Sequence, residues 1–532
     1  MRDDYMKTAI RTFVGGLALL ATQAMTPASA QDVAVGVSAA PTSVDPHYHN
    51  LTPNNALATH IFGTLVSRDA QSRPVPGLAT SWKLIDDNTW EFKLRPGVTF
   101  HNGAPFTAED VAYSLARPPL VLNSPGSFAV YSRSVKEVQV VDAITVRLKT
   151  DGLYPLLPVD LTNVRMVWHG IGPGATTEDF NSGKHAIGTG PFKLAAYRSG
   201  DRVELTRNES YWGTKPHWKN VSYRFLPNNG ARVAALLAGD VSLIEAVPTT
   251  EVAQLSTNPK LVISEVNSTR IVFLWFDRSR TGPTPFVKGP NGETLDKNPL
   301  NDLRVRQALS IAINRPAIVE RVMENAAIAS GQLLPPGSYS HVPGLNPPTF
   351  DPQKAKALLA EAGYQNGLSL TLHGPNDRYV NDAKIIQAVG QMWTRIGVKT
   401  QVEGITWPSF IGRASKQEFS TFLLAWGTTS GEASNPLRAL IATPTPAKGW
   451  GTANRGKYSN PTVDNLLERA LATAGDAARE KLLIEATSIA MTDLPFIPLH
   501  TQKNIWAMRA GLTYVPRVDE ETNVAELRPA RQ

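Results

Sequence analysis

Hydrophobic and polar residues alternate along several short segments in the first part of the chain. Residues 88–95, NTWEFKLR, place apolar and polar side chains on opposite faces, which is typical of a half-buried strand. Residues 137–150 hold two such runs around Asp142-Ala143 and predict a hairpin, and residues 200–208 predict another strand. The pattern indicates a β-rich region with many turns.

Later segments follow the helical period instead. Within residues 301–313 apolar side chains recur three and four positions apart, as on one helix face: Val305, Ala308, Leu309, Ala312 and Ile313. Asp351 and Pro352 predict a helix start, and Pro316 predicts the first turn of a helix towards Asn325. Strands and helices then alternate, which favours an α/β fold: strands at 368–372, 398–404 and 421–426, and helices at 381–395, near Ser409 and twice within 460–491.

Residues 94–115 combine two glycine turns with a helix start. Thr107 stands three residues before Asp110, the spacing of a capping box. His101 lies in the second turn, where we expect the imidazole to secure the turn rather than to transfer protons. The segment is therefore predicted to be structural.

Residues 6–30 have the pattern of a cleavable export signal. Lys7 and Arg11 precede an apolar run, and Ala28-Ser29-Ala30 matches a signal-peptidase site. The apolar run is far shorter than the ~20 residues that span a bilayer. We expect a signal peptide at 1–30 and export of the mature chain to the periplasm.

Composition narrows the class of protein further. A chain of 532 residues exceeds the usual domain length of ~100–200 residues, so more than one lobe is expected. The net charge is +7, with no Lys/Arg run, which argues against nucleic-acid binding. Cysteine is absent, which removes disulfides, thiolate metal ligands and a lipid-anchor cysteine. No cofactor is expected.

Motifs for enzymatic chemistry are missing from the sequence. There is no HExxH and no G-x-S-x-G, and Gly188-x-Gly190 fits neither a dinucleotide site nor a P-loop. His47 and His49, with His60 nearest, are a weak metal-ligand candidate. We expect no enzyme, although a secreted hydrolase stays open because paired carboxylates are invisible in sequence.

Six segments carry a family resemblance: 74–115, 188–213, 234–248, 303–323, 351–364 and 458–470. In these segments the chain resembles family 5 extracellular solute-binding proteins, the peptide-, opine-, glutathione- and nickel-binding components of ABC importers. The resemblance implies an α/β, two-lobed periplasmic-binding-protein fold of the large type II class. An extra β-rich subdomain on lobe I and a hinge between the lobes are also implied.

The resemblance implies boundaries and partners as well. Residues 31–269 would form lobe I, with the extra subdomain at about 46–186, and 270–497 would form lobe II. Residues 498–532 would return to lobe I, with hinges near Thr269 and Pro498. The implied partners are a small-molecule ligand and inner-membrane ABC permease subunits, and the chain is expected to be a monomer.

The resemblance also points to ligand-binding residues. In peptide-binding relatives an aspartate shortly after a tryptophan pairs with the ligand's amino terminus. Here Trp426 matches the tryptophan, but Thr429 stands at the aspartate position, and a hydroxyl lacks the charge that a buried ammonium needs. Either Glu432 takes over or the ligand lacks a free α-ammonium. Glu432 and Asn435 equally fit a helix start.

Four further residues complete the predicted site. Arg378 lies between a predicted strand and a helix, where loops face ligands, and would bind a carboxylate or make a surface salt bridge. Trp407 would either stack on the ligand or fill the core of lobe II, and His49 and Asn55 lie at the predicted cleft edge. The expected ligand is a short peptide or an amino-acid-derived compound such as an opine; the alternative is a metal chelate such as nickel, near His47 or His49.

Overall fold

The structure is a computed structural model that describes residues 31–428 and 430–531. The predicted signal peptide, 1–30, and Thr429 lie outside the described residues. None of the helices in the described part is both long and apolar enough to cross a membrane.

The strands of the described residues are numbered in chain order. They are β1 (Asp32–Val37), β2 (Val66–Arg68), β3 (Pro74–Pro76), β4 (Ala79–Asp86), β5 (Thr89–Leu94), β6 (Val135–Asp142), β7 (Thr145–Thr150), β8 (Phe192–Arg198), β9 (Arg202–Arg207), β10 (Asn220–Phe225), β11 (Leu243–Ile244), β12 (Leu261–Phe276), β13 (Val287–Lys288), β14 (Ala327–Ala329), β15 (Leu368–Pro375), β16 (Val398–Ile405), β17 (Thr421–Gly427), β18 (Phe496–Arg509), β19 (Leu512–Thr513) and β20 (Arg528–Pro529).

The α-helices of the described residues are numbered in the same way. They are α1 (Thr52–Ile61), α2 (Ala108–Ala116), α3 (Ala129–Ser132), α4 (Leu157–Asp160), α5 (Thr177–Asn181), α6 (Asn229–Ala238), α7 (Thr249–Ser256), α8 (Leu303–Ile311), α9 (Arg315–Ala317), α10 (Pro352–Glu361), α11 (Asp382–Thr394), α12 (Trp407–Ser415), α13 (Ser434–Pro436), α14 (Pro461–Leu471) and α15 (Asp476–Asp493).

A twelve-stranded mixed sheet runs through the molecule. Its order is β13-β15-β17-β12-β18-β11-β1-β10-β9-β8, with β16 beside β15 and β14 beside β18. The long strands β12 and β18 are antiparallel, and their register shifts between Asn267 and Ile271. On one side of this shift β18 pairs with β11, and on the other side β12 pairs with β17. Two lobes therefore share one continuous sheet.

Alternation along β12 builds two separate cores in the second lobe. Odd positions pack with α12, α14 and α15: Ile271, Phe273 and Trp275. Even positions pack on the opposite face with α8, α10 and α11: Val272, Leu274 and Phe276. Since successive side chains of a strand point to opposite faces, an unbroken apolar run is what a strand covered on both faces requires.

The first lobe has its own cores and an additional small sheet. Residues of β1, β9 and β10 pack around Phe192 and Trp506. The order of the small sheet is β4-β5-β7-β6, and α2 packs its Val111 and Leu115 against the core of this sheet. Asp110 caps α2, because its Oδ2 accepts the backbone N–H of Thr107 at 2.8 Å. The strand predicted at 88–95 and the hairpin predicted at 137–150 are confirmed.

The predicted alternation of helices and strands after residue 300 is confirmed, with one difference. The helix predicted from Pro316 towards Asn325 is α9 followed by a π-helical turn, Ile318–Val322. Met323 N donates to Ile318 O at 2.9 Å, the wider spacing of a π turn. Nothing in the local sequence signals this extra residue in the turn.

Candidate functional site

A cleft of three connected cavities lies between the lobes. The Glu245 cavity, lined by Glu245 and Ser38, has a volume of 420 Å³. The arginine cavity, lined by Arg270, Arg378 and Arg455, has 570 Å³, and the Tyr154 cavity has 400 Å³. Neighbouring cavities share lining residues: Arg378, Tyr379 and Trp407 for the first pair, and Tyr131, Trp426 and Asn435 for the second. Small-molecule sites usually measure ~300–1,000 Å³.

Loops at strand and helix ends supply the cleft walls. Asn55 lies in the first turn of α1, and its side-chain amide donates to Asn50 Oδ1 at 3.1 Å. On the opposite wall, Trp426 lies near the end of β17, and Trp407 begins α12. Arg378 lies in the loop after β15, three residues past Pro375, at the carboxyl end of the strand, where α/β sheets bind ligands.

Aromatic side chains form fixed walls in the arginine cavity. Trp407 packs on Phe410 with ring centroids 6.1 Å apart, and its other neighbour, Tyr379, is at 5.8 Å. The indole N–H of Trp426 donates to Asn435 Oδ1 at 2.8 Å, which fixes the ring at the cavity surface. Trp407 therefore lines the cleft and also packs against the core of the second lobe. From the sequence alone these two roles are alternatives.

The guanidinium of Arg378 lies over two aromatic rings in the cleft. It is 5.4 Å from the ring centroids of both Tyr379 and Trp407, and it makes no ion pair with the described residues. Burial, together with the nearby charge of Arg270, lowers the pKa of Arg378. Arg270 itself is neutralised by Glu520, since its Nε and Nη2 lie 2.6 and 2.7 Å from the two carboxylate oxygens.

Arg455 is a cleft residue that the sequence did not reveal. It lies in the loop before α14, and its guanidinium reaches a neutral partner, Ser415 Oγ, at 3.3 and 3.4 Å. Burial lowers the pKa of Arg455. The sequence also shows no sign of Arg270 as a cleft residue, because this residue lies inside a strand and belongs to no motif. Tyr379 could have been predicted, because it is next to Arg378 in the same loop.

Glu432 is placed away from the cavity linings. The residue is 3% exposed, and its carboxylate is bound by Arg479 Nη1 at 2.6 Å and by the Ser434 hydroxyl. Its charge is therefore already balanced within the protein. Thr429 is not among the described residues, so its predicted role stays a prediction.

The histidines near the N-terminal part of the cleft do not line the three cavities. His49 Nδ1 lies 3.1 Å from Thr42 Oγ1. His47 is fully buried, with Nε2 2.8 Å from the Arg165 carbonyl oxygen, and burial lowers its pKa to about 4. Across 31–428 and 430–531, no group of three or more His, Cys, Asp or Glu residues is placed to hold a metal ion.

Comparison with known proteins identifies the family of this chain. The model of bacterial extracellular solute-binding proteins, family 5, matches residues 73–445, more than half of the chain. Heme-binding protein A of Haemophilus influenzae is 27% identical, covering 84% of this chain and 83% of that protein. Glutathione-binding protein GsiB of Pectobacterium atrosepticum is 29% identical, covering 91% of each.

A solved structure shows the same fold. The periplasmic binding protein DppA from Helicobacter pylori, in complex with the peptide STSA, superposes with a TM-score of 0.76 at 22% identity, covering 94% of this chain and 98% of that one. The two-lobed fold expected from the sequence is thereby confirmed. The chain belongs to family 5 of the bacterial extracellular solute-binding proteins, receptors rather than enzymes, which deliver their ligands to ABC importers.

Proposed function

We propose that this protein captures a small organic solute with a carboxylate group in the cleft and delivers it to inner-membrane ABC permease subunits. The observation that carries the proposal is Arg378, a partly buried guanidinium without a carboxylate partner among the described residues. A guanidinium binds carboxylates through two parallel hydrogen bonds, and here the guanidinium lies 5.4 Å from the ring centroids of both Trp407 and Tyr379. The solute is a short peptide or an amino-acid-derived compound such as an opine.

The surroundings of Trp426 favour a ligand without a free ammonium at that position. Glu432, the nearest acid in sequence, is neutralised by Arg479. The acids that line the cleft lie in the two adjoining cavities: Glu245, Asp377 and Glu520 in the Glu245 cavity and Asp151 in the Tyr154 cavity. Glu245 accepts hydrogen bonds from Ser38 N and Oγ, both at 3.0 Å. Burial raises the pKa of Glu245, and the hydrogen bonds from Thr522 and Ser38 oppose this rise. This arrangement favours the amino-acid-derived compound over a peptide bound through its amino terminus.

Lobe closure around the ligand is part of the proposal. The register shift between β12 and β18 lies beside the crossings near Thr269 and Pro498, which supports a hinge there. We propose lobe I at 31–269 and 498–532, and lobe II at 270–497. A cleavable signal at 1–30 and a monomeric state complete the proposal, and the periplasmic relatives agree with export.

Thermal unfolding of the ligand-stripped protein with a solute library tests the receptor role. The library holds peptides, opines, glutathione, heme, sugars and nickel chelates. A ligand that binds only the folded chain stabilises it by about 2.7 kcal/mol at a hundredfold excess over Kd. A shift with one carboxylate-containing class, with the ligand recovered unchanged, is expected. A shift only with metal chelates favours the nickel alternative, and a converted ligand contradicts the receptor role.

The substitution Arg378→Gln tests the anchor. It is expected to weaken binding of the stabilising carboxylate about 10- to 100-fold, because a charge-assisted hydrogen-bond pair is lost. Isothermal titration calorimetry measures the change. Arg469→Gln, at an exposed position of α14, is the matched control and keeps full affinity. Equal affinity of R378Q and the parent chain would remove Arg378 from the site.

A further inference from the structure

The arginine cavity has an uneven charge. Three arginines line it, and among the described residues that line it none is acidic. Glu520, which reaches Arg270 from the adjoining cavity, balances one of the three charges. Two positive charges remain, on Arg378 and Arg455.

Within the described residues, neither of these two arginines makes an ion pair with a carboxylate, and Glu520 and Asp382 act on Arg378 only from a distance. The Arg378 guanidinium lies over the rings of Tyr379 and Trp407, and Arg455 contacts the neutral hydroxyl of Ser415. A charge withdrawn from water without a counter-charge is costly, and the cost is recovered when a ligand supplies the opposite charge. Burial lowers the pKa of both guanidinium groups, which is the same cost expressed as proton affinity.

Apolar and aromatic surface completes the wall between these charges. The lining of the same cavity includes Tyr131, Phe273 and Trp426. Such a wall accepts the planar or apolar middle of a ligand, while the guanidinium groups accept its charged ends. A peptide whose only carboxylate is its C-terminus would pair with one arginine and leave the other without a partner.

From this arrangement we infer that the ligand is an organic dicarboxylate, with one carboxylate bound by Arg378 and the second by Arg455. The inference rests on the proposed function and names the ligand class of the same site. Arg455 then determines specificity, because it separates dicarboxylates from monocarboxylates.

The test compares the compounds of the solute library by charge and then modifies one stabilising compound chemically. Dicarboxylates are expected to stabilise the chain more than monocarboxylates of similar size, and neutral amides least. The strongest dicarboxylate is then converted into its two monoamides, and calorimetry gives the affinities of all three compounds for the parent chain, Arg455→Gln and Arg378→Gln. The parent chain should bind each monoamide about 10- to 100-fold more weakly.

The variants give a crossed pattern if the inference is correct. R455Q should weaken the dicarboxylate but leave unchanged the monoamide that already lacks the second carboxylate, and R378Q should do the same with the other monoamide. Arg455→Lys should recover part of the affinity, and Arg469→Gln should behave as the parent chain. Melting curves without ligand check that each variant is folded.

The remaining outcomes overturn the inference. In one outcome, monocarboxylates bind as tightly as dicarboxylates, and only R378Q weakens their binding. This result agrees with the proposed receptor function but excludes a second carboxylate bound by Arg455. If R455Q and R378Q weaken one monocarboxylate equally, a single group bridges both arginines. A library without any stabilising compound counts against both the proposed function and the dicarboxylate.

Discussion

The free energy of unfolding is expected to fall steeply as the pH is lowered from 6.5 to 4. His47, His60 and His500 are at most 1% exposed, and burial lowers the pKa of each from 6.5 to about 4. Between these values the unfolded chain binds protons that the folded chain does not, so stability decreases with falling pH. Each histidine accounts for roughly 3 kcal/mol, lost completely below the folded-state pKa.

The hydrogen bonds of His60 explain why protonation opposes folding. Its Nδ1 lies 2.8 Å from the Ala56 carbonyl oxygen, and its Nε2 accepts the backbone N–H of Val524 at 3.0 Å. The imidazole must therefore be neutral, with the proton on Nδ1, because a protonated ring has no acceptor. His60 in this form ties α1 to the C-terminal segment. His101 bonds in the same way, with Nε2 3.1 Å from Gly190 O and Nδ1 accepting from Gly188 N at 3.3 Å.

Asp160 acts in the opposite direction over part of this range. Burial raises its pKa to about 6, so the folded chain takes up this proton before the unfolded chain does. That uptake adds stability as the pH falls from about 6 to 4. The stability gained from Asp160 is smaller than the stability lost from one of the histidines. The chain is therefore still expected to be destabilised by acid.

Urea unfolding at several pH values between 7 and 4.5 measures this effect. His60→Gln keeps a donor and an acceptor without a titrating group, so its pH profile should be shallower by up to about 1.4 kcal/mol per pH unit. His217→Gln, at an exposed position, should have the parent profile. A free energy of unfolding that is flat from pH 6.5 to 4.5 would contradict the prediction.

Asp45→Asn is expected to lower the free energy of unfolding by about 3–5 kcal/mol, since it leaves a buried arginine without its counter-charge. The two oxygens of Asp45 lie 2.7 Å from Nη1 and Nη2 of Arg117, and Asp45 is 2% exposed. Thr177 Oγ1 and the backbone N–H of His47 donate to the same carboxylate at 2.9 and 3.0 Å. The pair fastens the end of α2 to the segment after β1.

Chemical unfolding at neutral pH, followed by circular dichroism, measures the loss. Asp69→Asn is the matched control, because Asp69 pairs with Arg73, whose side chain is 73% exposed, and such pairs contribute about 0–1 kcal/mol. If D45N loses no more stability than D69N, the buried ion pair of Asp45 and Arg117 does not stabilise the fold as predicted.

The sequence by itself determined the local structure. The caps at Thr107 and Asp351 and the alternating strand at 88–95 act through neighbours a few residues away, which a sequence displays directly. The two-lobed fold followed from the family resemblance, whose segments span most of the chain. Among the site candidates, Arg378, Trp407, Trp426, Asn435 and Asn55 line the cleft; their contact with a ligand stays a prediction.

Only the tertiary structure decided the charge of the cleft. Arg270 comes from β12, Arg378 from the loop after β15 and Arg455 from the loop before α14, and long-range packing brings them to one cavity. The same packing pairs Glu432 with Arg479. This ion pair neutralises the carboxylate that, from the sequence alone, is a candidate partner for a ligand ammonium. Local structure depends on backbone hydrogen bonds and side-chain period within a few residues, whereas the charge of a site depends on side chains far apart in the chain.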